Sequence, residues 1–450
     1  MRVRSLRTSV LFATLSVAAS ALVAVGVSGA RAPTVASESR GIEIPAFYDP
    51  PAQIPSQPGE LIRSEAMPLS VNLPVVFPGK ATRLMYSSID SAGRPVAVTG
   101  AFIEPTKAWG GPGPRPVVAF GSGTIGAGDQ CAPSLGLEKP FNVGIGVDGV
   151  ETLTVNYDMI QMSGLLNKGV AVALTDYVGL GATDRPHHYV NRVSTAHAML
   201  DVARAVKKLP GVAIPADTKF GAWGYSQGGG ASGAAAELQP SYAPDVNLVA
   251  SYVGAPPADL RATIDGVDGG LIVGVLGFAL NGFIDAVPEL GAVVAANLNA
   301  KGKTLLADTA TSCIGDIIFN HAMTKTRDLT TSGKSLGQIV DADPALAAFV
   351  AEQRIGRLKP TVATLVATAL ADGAVPHKQA RQLAKDWCAK GANVKYLPVG
   401  TPPLPGDADK LALGHVSGMV LAWPTALSWM TDRLQGERAY GNCGLLPLMP

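Results

Sequence analysis

The chain is poor in charge: charged residues make up 16% of its 450 positions, aromatics 6%, and the formal net charge is +1. A nucleic-acid partner would demand a basic face to neutralise phosphates, and this balance supplies none. Disorder is excluded from the other side, because 47% hydrophobic residues are more than a solvated chain carries. Only four cysteines occur (Cys131, Cys313, Cys388 and Cys443), with no C-x-x-C and no His/Cys spacing suited to zinc. Zinc is therefore not expected. Past the leader, even the apolar run "GGLIVGVLGFAL" (269–280) stops at twelve residues, short of the roughly 20 a membrane span needs.

What is present begins with that leader. "MRVRSLR" is a basic start, "SVLFATLSVAASALVAV" is an apolar stretch, and "VSGA" (27–30) places small residues where a signal peptidase reads. Residues 1–30 are predicted to be a signal peptide, with an uncleaved membrane anchor as the alternative. Export leads outside the cell, with retention at the cell envelope also open. It also puts an even number of cysteines in an oxidising compartment, which favours two disulfides.

The rest of the chain divides into three further segments. Residues 31–255 read as the first part of an α/β core, opened by a proline-rich extended arm to about residue 75. "TRLMYSSIDSAGRPVAVTGAFIEP" has the alternation and central turn of a β-hairpin. Short apolar runs at 115–123, 169–177, 218–226 and 247–255 then alternate with helical stretches such as 195–209. Such alternation implies a mostly parallel sheet covered on both faces, with chemistry at the carboxyl ends of its strands. Residues 256–358 break the pattern and read as a helical insertion over the sheet. Alternation resumes in 359–450, which ends in a helix at 417–435.

"TKFGAWGYSQGGGASG" carries the chemistry. Gly224, Ser226 and Gly228 make G-x-S-x-G between a strand and a helix, the nucleophile elbow of the α/β-hydrolase fold. A strand that turns at once into a helix strains its apical residue and leaves no room for side chains beside it. The serine hydroxyl is thereby held clear of the sheet, with the N–H of Gln227 aimed at a developing oxyanion. The competing reading is a glycine-rich turn that only packs a helix close to the sheet.

Serine needs a base, and the base needs an orienting acid, in the chain order Ser, Asp or Glu, His. Such serine chemistry requires neither a metal nor an organic cofactor. His187, His188 and His197 precede Ser226, and His321 lies in the insertion, so His377 and His415 remain. Asp372 closes the buried run "TLVATAL" and is the expected acid; Asp407 and Asp409, in a polar loop, are its rivals. His377 opens the next helix and reads as a capping residue, which leaves His415, 43 residues beyond Asp372, as the base. A second oxyanion donor is expected from "AFGSGTIGAGDQCAPS" (119–134), with Thr124 as the candidate, unless that stretch is only a surface loop.

"GYSQGGGA", "TDYVGLG", "CAPS", "ADGAVP" and "WCAKGANVKY" together resemble the secretory lipases of yeasts and actinobacteria, from about residue 45 to the C-terminus. The loop at Gly121-Ser122-Gly123-Thr124 departs from the family's frequent G-H-G-T. The resemblance implies a triad of Ser226, Asp372 and His415, a helical lid over an acyl pocket, and the disulfides Cys131–Cys313 and Cys388–Cys443. It also implies lipid or other ester substrates, with action at a lipid–water interface left open, and no stable protein partner is expected. The leading expectation is a secreted carboxylic ester hydrolase, most simply a triacylglycerol lipase. Acyl transfer through the same acyl-enzyme is the alternative, and a non-catalytic binding protein on the same scaffold is an alternative of another class.

Overall fold

The computed structural model describes residues 35–450 except 72, 74–75, 147–148 and 401–405. The predicted signal peptide lies outside the described residues. The strands are β1 (Val35–Ser39), β2 (Ile42–Pro45), β3 (Leu61–Met67), β4 (Gly79–Ile89), β5 (Pro95–Pro105), β6 (Val117–Gly121), β7 (Phe141–Gly146), β8 (Gly149–Val155), β9 (Ala171–Val178), β10 (Phe220–Tyr225), β11 (Leu248–Gly254), β12 (Ala363–Ala369) and β13 (Val394–Val399). Nine of them form one sheet in the order β3-β4-β5-β9-β6-β10-β11-β12-β13. The β3-β4-β5-β9 half is antiparallel and the half from β9 to β13 is parallel. This is the α/β-hydrolase fold.

Why the central strands are near-continuous apolar runs follows from their position: β6, β9 and β10 are buried along their whole length, on both faces. Alternate residues serve opposite cores. Phe220 and Ala222 face α3 (Arg192–Ala205) and α4 (Gln227–Tyr242), following α1 (Leu135–Glu138) and α2 (Met159–Asn167) in the chain, while Trp223 joins the core beneath α2 and the long C-terminal helix. Two segments depart from the sequence reading. The proline-rich arm contributes the β1–β2 hairpin and β3, the sheet's edge strand. A half-exposed edge strand shows only weak alternation, which is why it reads as arm. The β7–β8 hairpin was not expected at all.

Between β11 and β12 lie no strand, one 3-10 turn (Thr326–Leu329) and seven α-helices: α5 (Leu260–Val267), α6 (Val275–Ala286), α7 (Leu290–Asn297), α8 (Ala300–Thr309), α9 (Ile314–His321), α10 (Leu336–Ala342) and α11 (Pro344–Glu352). Their starts obey capping chemistry. Asn299 accepts from the Gly302 N–H, Ser335 and Gln338 form a capping box, and Asp343 caps α11 ahead of Pro344. The run 269–280 is helical only from Val275 onward, Gly269 taking a left-handed turn at φ +67°. Helices α7 and α11 are rich in apolar residues, yet none of these is fully buried, because their inner faces wall a cleft instead of a core. After β12 come α12 (His377–Ala389) and α13 (Leu413–Gln435).

Cys131 is bonded to Cys313 and Cys388 to Cys443. The first bridge spans 182 residues and joins the loop after β6 to the start of α9, and the second spans 55. Closing loops of these lengths stabilises by roughly 4–5 kcal/mol each in the chain-entropy model.

Candidate active site

Ser226 stands between β10 and α4 with φ +59° and ψ −121°, backbone that a non-glycine residue adopts only when its surroundings impose it. Its N–H donates to the Gly254 carbonyl at 2.9 Å and its carbonyl accepts from Gly230 N–H at 3.0 Å, so both ends of the turn are fixed. The glycines answer to contact distances. A Cβ on Gly224 would meet the Gly228 carbonyl at 2.1 Å, one on Gly228 the Gly121 oxygen at 2.0 Å, and one on Gly229 the Gly254 oxygen at 2.0 Å. Gly230 meets nothing closer than 3.3 Å, so only three of the four positions require glycine.

His415 Nδ1 lies 2.7 Å from Asp372 Oδ2. The other carboxylate oxygen accepts from the N–H groups of Ala374 (3.1 Å) and Val375 (2.8 Å), so the buried carboxylate is tied at both oxygens. His415 sits in the first turn of α13, not ahead of the helix as the sequence reading placed it. The N-terminus of α13 is seated on the end of β12: a Cβ on Gly414 would fall 1.7 Å from the Ala371 oxygen. Tyr225, the neighbour of Ser226, packs its ring 5.2 Å from the His415 ring and donates its hydroxyl to the His415 carbonyl at 2.8 Å. His415 and the elbow are thus linked through one tyrosine.

Other candidates are placed elsewhere. Asp409 is exposed and accepts from its own neighbour's N–H, that of Lys410, while the Asp407 side chain lies outside the described part. His377 is the first residue of α12, but Pro376 holds the cap position and no side-chain cap bond is made, so its expected capping role is withdrawn. His321 pairs with Asp308 at 2.6 Å within the insertion. Among the described residues no group of three or more His, Cys, Asp or Glu could hold a metal ion.

The loop after β6 is rigid, not a loose surface turn. Asp158 Oδ2 accepts from Gly123 N–H at 2.8 Å, Tyr157 donates to the Thr124 carbonyl at 3.0 Å, and Tyr177 donates to the Ser122 carbonyl at 2.8 Å. Burial pushes the Asp158 carboxyl up to about 7. Farther along, Asp176 accepts from both the N–H (2.7 Å) and hydroxyl (2.5 Å) of Ser134, which joins the "TDYVGLG" and "CAPS" motifs physically. The Thr124 hydroxyl lies 2.7 Å from that of Tyr189, and the Gln227 side chain 2.9 Å from His187. Asp158, His187 and Tyr189 escaped the sequence reading. Each bonds a partner distant in the chain, and a histidine ahead of the serine falls outside the chain order of a triad.

Thr124, Ser226 and Gln227 share one cleft, open to solvent, whose other walls come from α5, α6, α7, α10 and α11. None of its lining side chains is charged.

The secretory lipase family model matches residues 147–442. Over 401 residues the chain is 27% identical to a probable inactive lipase of Mycobacterium tuberculosis, covering 87% of this chain and 82% of that one. It is also 27% identical to lipase 5 of Candida albicans over 409 residues, 88% of this chain and 82% of the relative. Among solved structures it resembles Candida antarctica lipase A in its closed state, with a TM-score of 0.73 at 22% identity over 89% of this chain and 87% of that one. The rice cell wall degrading esterase LipA of Xanthomonas oryzae matches with a TM-score of 0.67 at 18% identity, over 85% of this chain and all of the esterase.

Proposed function

We propose, from the premise that the chain belongs to the secretory lipase family, that it is an exported carboxylic ester hydrolase whose nucleophile is Ser226 and whose preferred esters carry long apolar acyl chains. The observation that carries the reading is a strained serine at the apex of an elbow, opening into a cleft without a charged wall.

In this mechanism His415 presents its Nδ1–H to Asp372, which leaves Nε2 to take the Ser226 proton as Oγ attacks the ester carbonyl. The carbonyl oxygen gathers negative charge in the tetrahedral intermediate, where the Gln227 N–H and a Thr124 donor would meet it. Collapse breaks the ester C–O bond, and the imidazolium gives its proton to the departing alcohol. Water then attacks the acyl-enzyme, His415 taking its proton; collapse breaks the C–Oγ bond, the imidazolium returns that proton to Ser226 Oγ, and the carboxylic acid leaves. The α5–α11 insertion serves as the lid and acyl wall. Each methylene buried there contributes about 0.8 kcal/mol, roughly fourfold in binding per carbon until the cleft is filled. The family, the two disulfides and the leader-like residues 1–30 support export.

The test is labelling with a fluorophosphonate, followed by hydrolysis of p-nitrophenyl esters from acetate to stearate. Ser226 should carry the label, Ser226→Ala should abolish both labelling and turnover, and kcat/KM should climb by well over tenfold from acetate to the medium chains. A folded protein that takes no label at Ser226 would end the enzymatic reading. A flat chain-length profile would end the acyl-wall reading alone.

A further inference from the structure

Three consecutive residues after β9 each reach a different part of the site. His187 Nδ1 lies 3.0 Å from the Val178 carbonyl, which can only accept, so the proton is on Nδ1 and the lone pair on Nε2. Nε2 is 2.9 Å from Gln227 Nε2 and therefore accepts one of its amide protons. Burial lowers the His187 imidazole to about 4, so this neutral tautomer persists through neutral and mildly acid solution. The Tyr189 hydroxyl, 2.7 Å from that of Thr124, can donate to it, and burial pushes the phenol up to about 12, so that proton stays in place. Donation in that sense leaves the Thr124 proton free for a third atom. His188, between them, holds Asp285 of α6 at 2.8 Å and lies 2.9 Å from the Ser194 hydroxyl through its other nitrogen.

The turn itself is stiff. His188 N–H donates to the Val178 carbonyl at 2.9 Å, Tyr189 N–H to the His187 carbonyl at 2.8 Å, and Val190 closes it at φ +51°, a costly conformation for a β-branched residue. Helix α6 lies directly on it: a Cβ on Gly282 would fall 2.2 Å from the His187 carbonyl oxygen, and Phe278 meets the Tyr189 ring edge-on at 5.7 Å.

We propose that His187 and Tyr189 are positioning residues for ester hydrolysis, His187 orienting Gln227 and Tyr189 orienting Thr124, with the turn that carries them seated against helix α6. This rests on the proposed role of Gln227 and Thr124 at the oxyanion. Neither residue touches the reacting atoms; each fixes a group that does. Displacing α6 would loosen both donors together, so the seating of that helix sets the readiness of the site.

The test uses the full exported chain, p-nitrophenyl butyrate as substrate, and a trifluoromethyl ketone, which forms a tetrahedral oxyanion adduct with an active serine. Tyr189→Phe, Thr124→Val and the double variant are compared, together with His187→Leu and His187→Gln. Tyr189→Phe and Thr124→Val should each lower kcat by on the order of tenfold or more with KM little changed, since they remove stabilisation realised in the transition state. Ketone affinity should fall in parallel, and the double variant should be no slower than the worse single one, as for residues acting through one contact. His187→Leu should act likewise, and His187→Gln, whose amide oxygen can accept from Gln227, should recover part of the loss. Tyr189→Phe removes only a hydroxyl and carries the test if His187→Leu fails to fold. Full kcat and ketone affinity in Tyr189→Phe, or losses that multiply in the double variant, overturn the proposal while fluorophosphonate labelling of the parent protein leaves the enzymatic reading standing. An unlabelled parent protein removes both.

Discussion

At the scale of single residues, the site depends on which proton each group is free to move. Asp372 accepts two backbone N–H bonds on one oxygen and faces His415 with the other, so the carboxylate is held in one orientation towards the imidazole. His415→Ala should therefore lose on the order of 10⁴-fold in kcat, because serine without a base is a poor nucleophile and only binding and the oxyanion donors remain. His377→Ala, at the start of α12 and half-buried, should change kcat little. Steady-state kinetics on one soluble ester decides this, and equal losses in the two variants would sink the assignment of the base.

At the scale of elements, the insertion is a set of helices whose apolar faces meet a cleft. Leu276 on α6 is half-buried and lines that cleft. Leu276→Arg should erase the preference for long acyl chains while sparing acetate hydrolysis, since a guanidinium there leaves the elbow intact but spoils the wall for methylenes. A folded Leu276→Arg protein with an unchanged chain-length profile would make the insertion purely structural. The elements that could be read in advance are those whose signal is local. Strands β6, β9 and β10 are apolar on both faces, and the elbow announces itself by strand, G-x-S-x-G and helix in immediate succession. Asp372 was singled out by its place at the end of a buried run and His415 by chain order and its place beside the last helix, and the fold brings the two into contact. Edge strand β3 was hidden because half of its surface is solvated. The turn at His187 to Tyr189 was hidden because its meaning lies in Gln227, Thr124 and Asp285, which only the folded chain brings alongside.

At the scale of the whole molecule, the sparse charge is unevenly distributed, and several ionisable groups are buried. Burial raises the carboxyls of Asp129 and Asp158 to about 7 and those of Asp176 and Asp201 to about 6, and lowers the imidazoles of His187 and His197 to about 4. The signs oppose. A carboxyl raised in the folded state favours folding below its unfolded pKa, near 4, and that contribution is lost as pH rises through 6 to 7. An imidazole lowered in the folded state favours folding above about 6.5 and loses that contribution as pH falls towards about 4. Between about pH 4 and 6.5 the two sets offset one another. Above that window the imidazoles are neutral in both states and only the carboxyls still titrate, so stability should decline from about pH 6 to about pH 8 and then level. Asp129 is the informative member, because it lies in the loop after β6 and accepts the Gly181 N–H, a bond that asparagine can also accept. Asp129→Asn should raise the thermal midpoint by a few degrees at about pH 8, where the buried charge is almost fully present, and the gain should shrink as pH falls and approach zero near pH 3, where the aspartate is neutral in both states. Midpoints measured across that range for parent and variant decide it: a constant offset at every pH, or a loss at pH 8, would mean that the Asp129 charge is stabilised by the fold instead of tolerated by it.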